Sequence, residues 1–231
     1  MNPDCGSRPP VLLFAGGRPM DAINAVSVIS KAISGLGLAY VRAAYVGAAN
    51  GDNQPFYLAI KPILLKAGAN KVVFARLAKN DADVQNARAL INDADVVFIS
   101  GGEVEDGINW IRKHGLFDFF KGLYPAGKLL IGISAGTIML GSHWVRWDDP
   151  KDDSTAGLFE CLGVVPAIFD THAEDEDWIE LKTALRLMGE GSRGFGVKKG
   201  GILESDGAGN LVNIKETYLT FTYRNGGYEI L

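Results

Sequence analysis

Five apolar runs constrain this chain more than any other feature. They are "VLLFAGG" (11–17), "AAYVGAANG" (43–51), "KVVFARL" (71–77), "DVVFISGG" (95–102) and "LLIGISAG" (129–136). All but the third end in glycine-containing turns. Between them lie "MDAINAVSVISKAISGLG", "QPFYLAIKPILLKAG" and "NDADVQNARALIND", whose apolar residues recur at helical spacing. Strands that are apolar on both faces and alternate with helices must be covered on both sides. The pattern therefore predicts a three-layer α/β sandwich around a mostly parallel sheet. In such sheets the working residues lie at the carboxyl ends of the strands, where these glycine turns fall.

Beyond about residue 195 the periodicity changes. "FGVKKGGILESDGAGNLVNIKETYLTFTYRNGGYEIL" alternates and is broken by "SDGAGN" and "RNGG", which are hairpin signals. These read as antiparallel strands that extend or cap the sheet. The segment "RWDDPKDDST" (146–155) reads as a loop insertion. No repeat or Pro-rich linker divides the chain, so residues 1–231 are expected to form one domain with residues 1–10 flexible.

Composition narrows the function. A chain of 231 residues buries enough surface to fold without staples, and its 47% hydrophobic and 22% charged content is an ordinary globular mix. The net charge of −4, with scattered Lys and Arg, argues against nucleic acid as a partner. Cys5 and Cys161 are too few for a disulfide framework and lack metal-ligand spacing, so neither metal nor cofactor is expected. The first ten residues have no signal-peptide pattern and "VLLFA" is too short to span a bilayer. The expectation is a cytoplasmic protein without a membrane partner, and a homodimer if it associates at all.

"GISAG" (132–136) fits G-x-S-x-G after a strand and before the apolar "TIML". A sharp strand-to-helix turn needs small flanking residues, and it would lift the Ser134 hydroxyl clear of the strand end. A serine needs a base, and there are three histidines to supply it. His114 reads as a helix C-terminal residue and His143 lies beyond the helix that follows the serine. His172 follows the apolar run "VVPAIF" at another strand end, where a base belongs. Asp149 and Asp170 are both candidates to orient it, and Asp148, Asp152 and Asp153 crowd the same loop as Asp149. The Ala135 N–H and that of Gly101 or Gly102 could hold an oxyanion.

In order along the chain, "VVFISGGEVEDGINWI", "IGISAGTIML", "IFDTHAEDEDWIELKTALRLM" and "GFGVKKGGILE" resemble the serine-peptidase family of aspartyl dipeptidase (dipeptidase E) and cyanophycinase. The resemblance implies a flavodoxin-like, class I glutamine-amidotransferase-like fold with serine in place of cysteine. It implies hydrolysis of peptide bonds beside acidic residues, with Ser134 as nucleophile, His172 as base and Gly102 and Ala135 as oxyanion donors. Asp149 matches the spacing of the dipeptidase acid. Lys198 and Lys199 stand where cyanophycinase-like members carry a glutamate.

The arginines that relatives carry after the histidine are missing. Glu174, Asp175, Glu176 and Asp177 stand there instead, and Glu103 follows the Gly-Gly turn. Gly101, Glu103 and Glu174 are therefore expected beside the substrate. Such a site repels an aspartyl side chain and attracts an amine or guanidinium, although acids also favour the first turn of a helix. The expectation is a serine hydrolase of a small peptide or amide that is not Asp-specific. The competing expectations are a non-catalytic relative that binds a small ligand or partner, and an α/β-hydrolase esterase. A nucleotide-binding role has weaker support, since "AGGRPMD" lacks phosphate-loop spacing.

Overall fold

The computed structural model describes residues 8–16, 22–149, 151–215 and 218–231. All five expected strands form: β1 (Val11–Phe14), β2 (Arg42–Val46), β3 (Lys71–Ala75), β4 (Val96–Ile99) and β5 (Leu129–Ile133). The helices α1 (Ala22–Ser34), α2 (Gln54–Lys66), α3 (Val84–Asn92), α4 (Val104–Lys113) and α5 (Phe117–Leu123) separate them, and α6 (Ala135–Leu140) follows β5. Asn53 and Asp83 start α2 and α3 by accepting the N–H of Phe56 and Asn86, which satisfies donors that a helix start leaves unpaired.

The later chain adds β6 (His143–Trp147), β7 (Ala156–Glu160), β8 (Ile168–Thr171), α7 (Ile179–Met188), β9 (Arg193–Val197), β10 (Ile202–Ser205), β11 (Leu211–Lys215), β12 (Tyr218–Arg224) and β13 (Gly227–Ile230). The central sheet has seven strands in the order β11-β10-β1-β5-β4-β2-β3. Neighbours from β1 to β3 are parallel, while β10 and β11 join antiparallel as a hairpin beside β1.

Alternation along the strands sends successive side chains to opposite faces. Val11, Leu13, Val97, Ile99 and Leu130 join one apolar cluster with residues of α3, α4, α5 and α6. Leu12, Phe14, Val96, Phe98 and Ile131 join the other, with Ala25 and Ile29 of α1 and Ile60 and Leu64 of α2. This is the three-layer sandwich that the apolar runs predict.

The C-terminal strands are antiparallel as expected, and β10 and β11 extend the central sheet. They do not all extend one sheet: β12 and β13 pair with β9 and β8 in a separate four-stranded sheet, ordered β13-β12-β9-β8. There β8 and β9 are parallel, joined through α7, and Val145, Ile168, Trp178, Leu181, Leu185 and Phe221 form a third apolar cluster. The segment 146–155 is not all loop: Arg146 and Trp147 belong to β6, which pairs antiparallel with β7. Of the ten residues expected to be flexible, residues 1–7 lie outside the described residues.

Candidate active site

Ser134 follows β5 with φ 52° and ψ −121°, a backbone conformation that side chains rarely adopt. Its surroundings hold it there. The Ser134 N–H donates to the Phe14 carbonyl on β1 (2.8 Å), and its own carbonyl accepts from Thr137 (2.8 Å) and Ile138 (3.2 Å). The Thr137 hydroxyl also donates to the Phe14 carbonyl (2.9 Å), which ties the first turn of α6 to β1. Backbone passes so close on both sides that the flanking residues must be glycine. A Cβ on Gly132 would lie 2.6 Å from the Gly136 carbonyl oxygen.

The end of β4 forms one wall. Gly101 packs against the serine, where a Cβ would stand 3.1 Å from Ser134 Cβ. Gly102 has φ 140°, and a Cβ there would fall 2.0 Å from the Ala49 carbonyl oxygen, so no other residue fits. That same carbonyl accepts the Glu103 N–H at 2.7 Å, fixing the turn.

The opposite wall comes from the second sheet. His172 follows β8 with φ 48°, and its N–H donates to the Val197 carbonyl on β9 (2.9 Å). The ring then meets the serine, with Ser134 Oγ 2.8 Å from His172 Nε2. The other histidines are elsewhere. His114 ends α4, with Nε2 2.9 Å from the Leu77 carbonyl oxygen and its ring stacked on Trp110. His143 opens β6 with Nδ1 buried and unpartnered. Cys161 is buried, and burial pushes its thiol up to about 12, so it offers no competing nucleophile.

Ser134, Ala135 and His172 share a cavity of about 300 Å³ with Gly102, Glu103, Val104, Ile138, Trp144, Asp170, Thr171, Ala173, Glu176 and Glu180. Asp170 is 3% exposed; its Oδ1 accepts the Thr171 N–H (2.7 Å) and its Oδ2 has no hydrogen-bond partner. Burial pushes its carboxyl up to about 7, with Glu180 adding to the rise. The Thr171 and Leu181 N–H groups offset part of it, the latter facing the carboxylate outside hydrogen-bond geometry. Glu180 is also raised, first by burial, while a 2.5 Å hydrogen bond from Trp144 Nε1 acts against this.

Neither of the two acids expected to orient the imidazole is hydrogen-bonded to it. Asp149 Oδ1 accepts the Lys151 N–H at 3.0 Å in the exposed β6–β7 turn, and Asp149 does not line the cavity. Asp170 lines it without bonding the ring. Among the described residues, Ser134 is the one side chain hydrogen-bonded to His172.

Of the acidic run after His172, only Glu176 reaches the cavity. Glu174 Oε1 accepts the Lys199 N–H (2.8 Å), Asp175 pairs with Lys199 Nζ (2.7 Å) and Asp177 pairs with Lys182 (2.8 Å). Glu174, expected beside the substrate, is thus turned toward the end of β9. Glu180 and Trp144 line the cavity but were not anticipated. The available signals were a carboxylate in the first turn of the helix after "DTH" and a tryptophan beside His143.

The sequence pattern of Peptidase family S51 matches residues 11–209. The chain belongs to that family. No curated protein matches the sequence. A solved peptidase from an acI-B1 Actinobacterium superposes with a TM-score of 0.68 at 17% identity, over 98% of this chain and 95% of its own. A protein described provisionally as peptidase E, from Listeria monocytogenes EGD-e, gives 0.60 at 15% identity, over 94% of this chain and 98% of its own. At such identities the likeness is one of fold. S51 membership makes the chain a serine peptidase-like hydrolase and sets aside the α/β-hydrolase esterase. No helix among the described residues is long and apolar enough to cross a membrane.

Proposed function

We propose that this S51 protein hydrolyses a small peptide or amide through an acyl-enzyme formed on Ser134, and that it is not specific for aspartyl substrates. The contact that carries the reading is the 2.8 Å approach of Ser134 Oγ to His172 Nε2, made by a serine held at positive φ. Such a contact lets the imidazole take the hydroxyl proton as the oxygen attacks. The strained turn holds that oxygen at the cavity mouth rather than in the strand.

The steps follow from the positions. Ser134 Oγ bonds to the substrate carbonyl carbon and its proton passes to His172 Nε2. The carbonyl electrons move onto oxygen, which the N–H groups of Gly102 and Ala135, two residues that line the cavity, would receive. Collapse breaks the C–N bond, and the imidazolium proton goes to the departing amine. Water then gives up a proton to His172 and attacks the ester, which returns the serine.

Among the described residues no acid bonds the imidazole; the Val197 carbonyl and the second sheet position the residue instead. The cavity's four carboxylates argue against an aspartyl side chain. A neutral fluorophosphonate tests the reading, with a single covalent adduct on Ser134 of the folded protein as the expected result. No adduct at pH 8 after prolonged exposure would sink it. That no acid among the described residues bonds His172 supports one second reading, a family member that binds a small ligand without turning it over.

A further inference from the structure

Among the described residues, the charged side chains that line the cavity with Ser134 are all of one sign. Glu103, Asp170, Glu176 and Glu180 line the cavity, and no Lys or Arg among the described residues does. Three cations are paired with other acids: Lys199 with Asp175, Lys182 with Asp177, and Arg146 with Glu105 and Asp148.

Asp170 adds an independent observation. It is 3% exposed, it lines the cavity, and among the described residues no donor is in hydrogen-bond geometry with Oδ2, although the Leu181 N–H acts on the carboxylate. A buried carboxylate oxygen without a donor is costly, and native structures retain one where something else supplies the donor. Glu180 stands beside it with one oxygen fixed by the Trp144 indole. Val104, Ile138 and the indole give the cavity apolar wall as well. An apolar wall ending in carboxylates suits a long side chain with a cationic tip.

Resting on the hydrolase reading, we infer that the substrate carries a guanidinium or ammonium side chain next to the scissile bond, and that Glu180 and Asp170 receive it, with Glu176 and Glu103 at the rim. A divalent metal ion fits less well, because no group of three or more acidic, His or Cys side chains among the described residues is arranged to hold one.

Binding and turnover can be tested separately. Isothermal titration of the Ser134→Ala protein compares N-acetylarginine amide with N-acetylcitrulline amide, a neutral near-isostere. The cationic amide should bind at least tenfold tighter, and Glu180→Gln, which keeps an acceptor for Trp144, should cut that preference below threefold. Asp170→Asn should weaken it similarly. The exposed Glu176→Gln, which leaves packing untouched, should lower it two- to threefold. Equal binding of the two amides, or tighter binding of N-acetylaspartate amide, overturns the inference. Arginine-selective binding by a protein that neither reacts with the fluorophosphonate nor cleaves dipeptides would overturn the hydrolase reading and leave the cation site standing. Labelling and cleavage with a neutral or aspartyl preference would do the reverse.

Discussion

Gly136 and Ile99 lie so close that a Cβ on the glycine would stand 2.2 Å from the Ile99 carbonyl oxygen. This is why α6 can start immediately after Ser134 and still pack against the end of β4. The serine, the Gly-Gly wall and the first turn of α6 are one steric unit.

That closeness makes Gly136→Ala costly. The backbone carbonyl cannot move aside as a flexible side chain could, so the substitution should lower stability by about 3 kcal/mol, the upper range of core overpacking. Gly122 on α5 is the control, since a Cβ there meets nothing within 4 Å. Gly122→Ala should stabilise by about 0.5–1 kcal/mol through helix propensity. Urea unfolding of the two variants measures both.

The assignment of the base is open to direct comparison. His172→Ala should slow fluorophosphonate labelling of Ser134 by about 10³-fold or more, because a serine without a base is a weak nucleophile. His143→Ala should stay within threefold of the parent. A large loss in the His143 variant, with labelling kept in the other, would reverse the assignment.

Asp149 is held in its own turn, so Asp149→Asn should change the labelling rate by less than about threefold. Loss of an acid that truly orients a catalytic histidine costs about 10⁴-fold. A fall of that size would mean that the β6–β7 turn closes onto His172 during turnover.

Asp170 should leave a mark on the pH dependence of stability. Its carboxyl is pushed up to about 7 by burial, helped by Glu180, whereas in the unfolded chain it titrates near 4. Between these values the folded chain holds a proton that the unfolded chain releases. Its contribution is therefore full below about pH 4 and is lost as pH rises through about 7. Asp170→Asn removes that loss, so its stability relative to the parent should improve by about 2–3 kcal/mol from pH 5 to pH 8. A flat difference in denaturant midpoints across that range would contradict the burial of a titrating carboxyl.

Cys161, with its thiol pushed up to about 12, should resist a disulfide reagent at pH 8. In a Cys5→Ser protein no thiol should react until denaturant is added, as absorbance with an aromatic disulfide would show.

The layered fold was legible because period and composition act locally. Runs such as "VLLFA" and "DVVFIS" are apolar on successive residues, and only a strand buried on both faces accepts that. "GISAG" was equally readable, since backbone collision at Gly132 and Gly136 admits no side chain wherever this turn occurs. The position of His172 after an apolar run also marked it as a strand-end residue. Local pattern could not tell which sheet β8 belongs to. Pairing of β8 with β9, and of β9 with β12, is a long-range choice, and it is this second sheet that brings the imidazole to Ser134.

The acids show the same division. Sequence determined that negative charge follows His172. Tertiary structure decided which charges face the cavity. Lys199 and Lys182 draw Glu174, Asp175 and Asp177 away, while the entry of α7 turns Glu180 inward to meet Trp144 from another strand. Ion pairing and helix entry depend on partners distant in the chain, so the character of the cavity was written in the sequence but its residues were chosen by the fold.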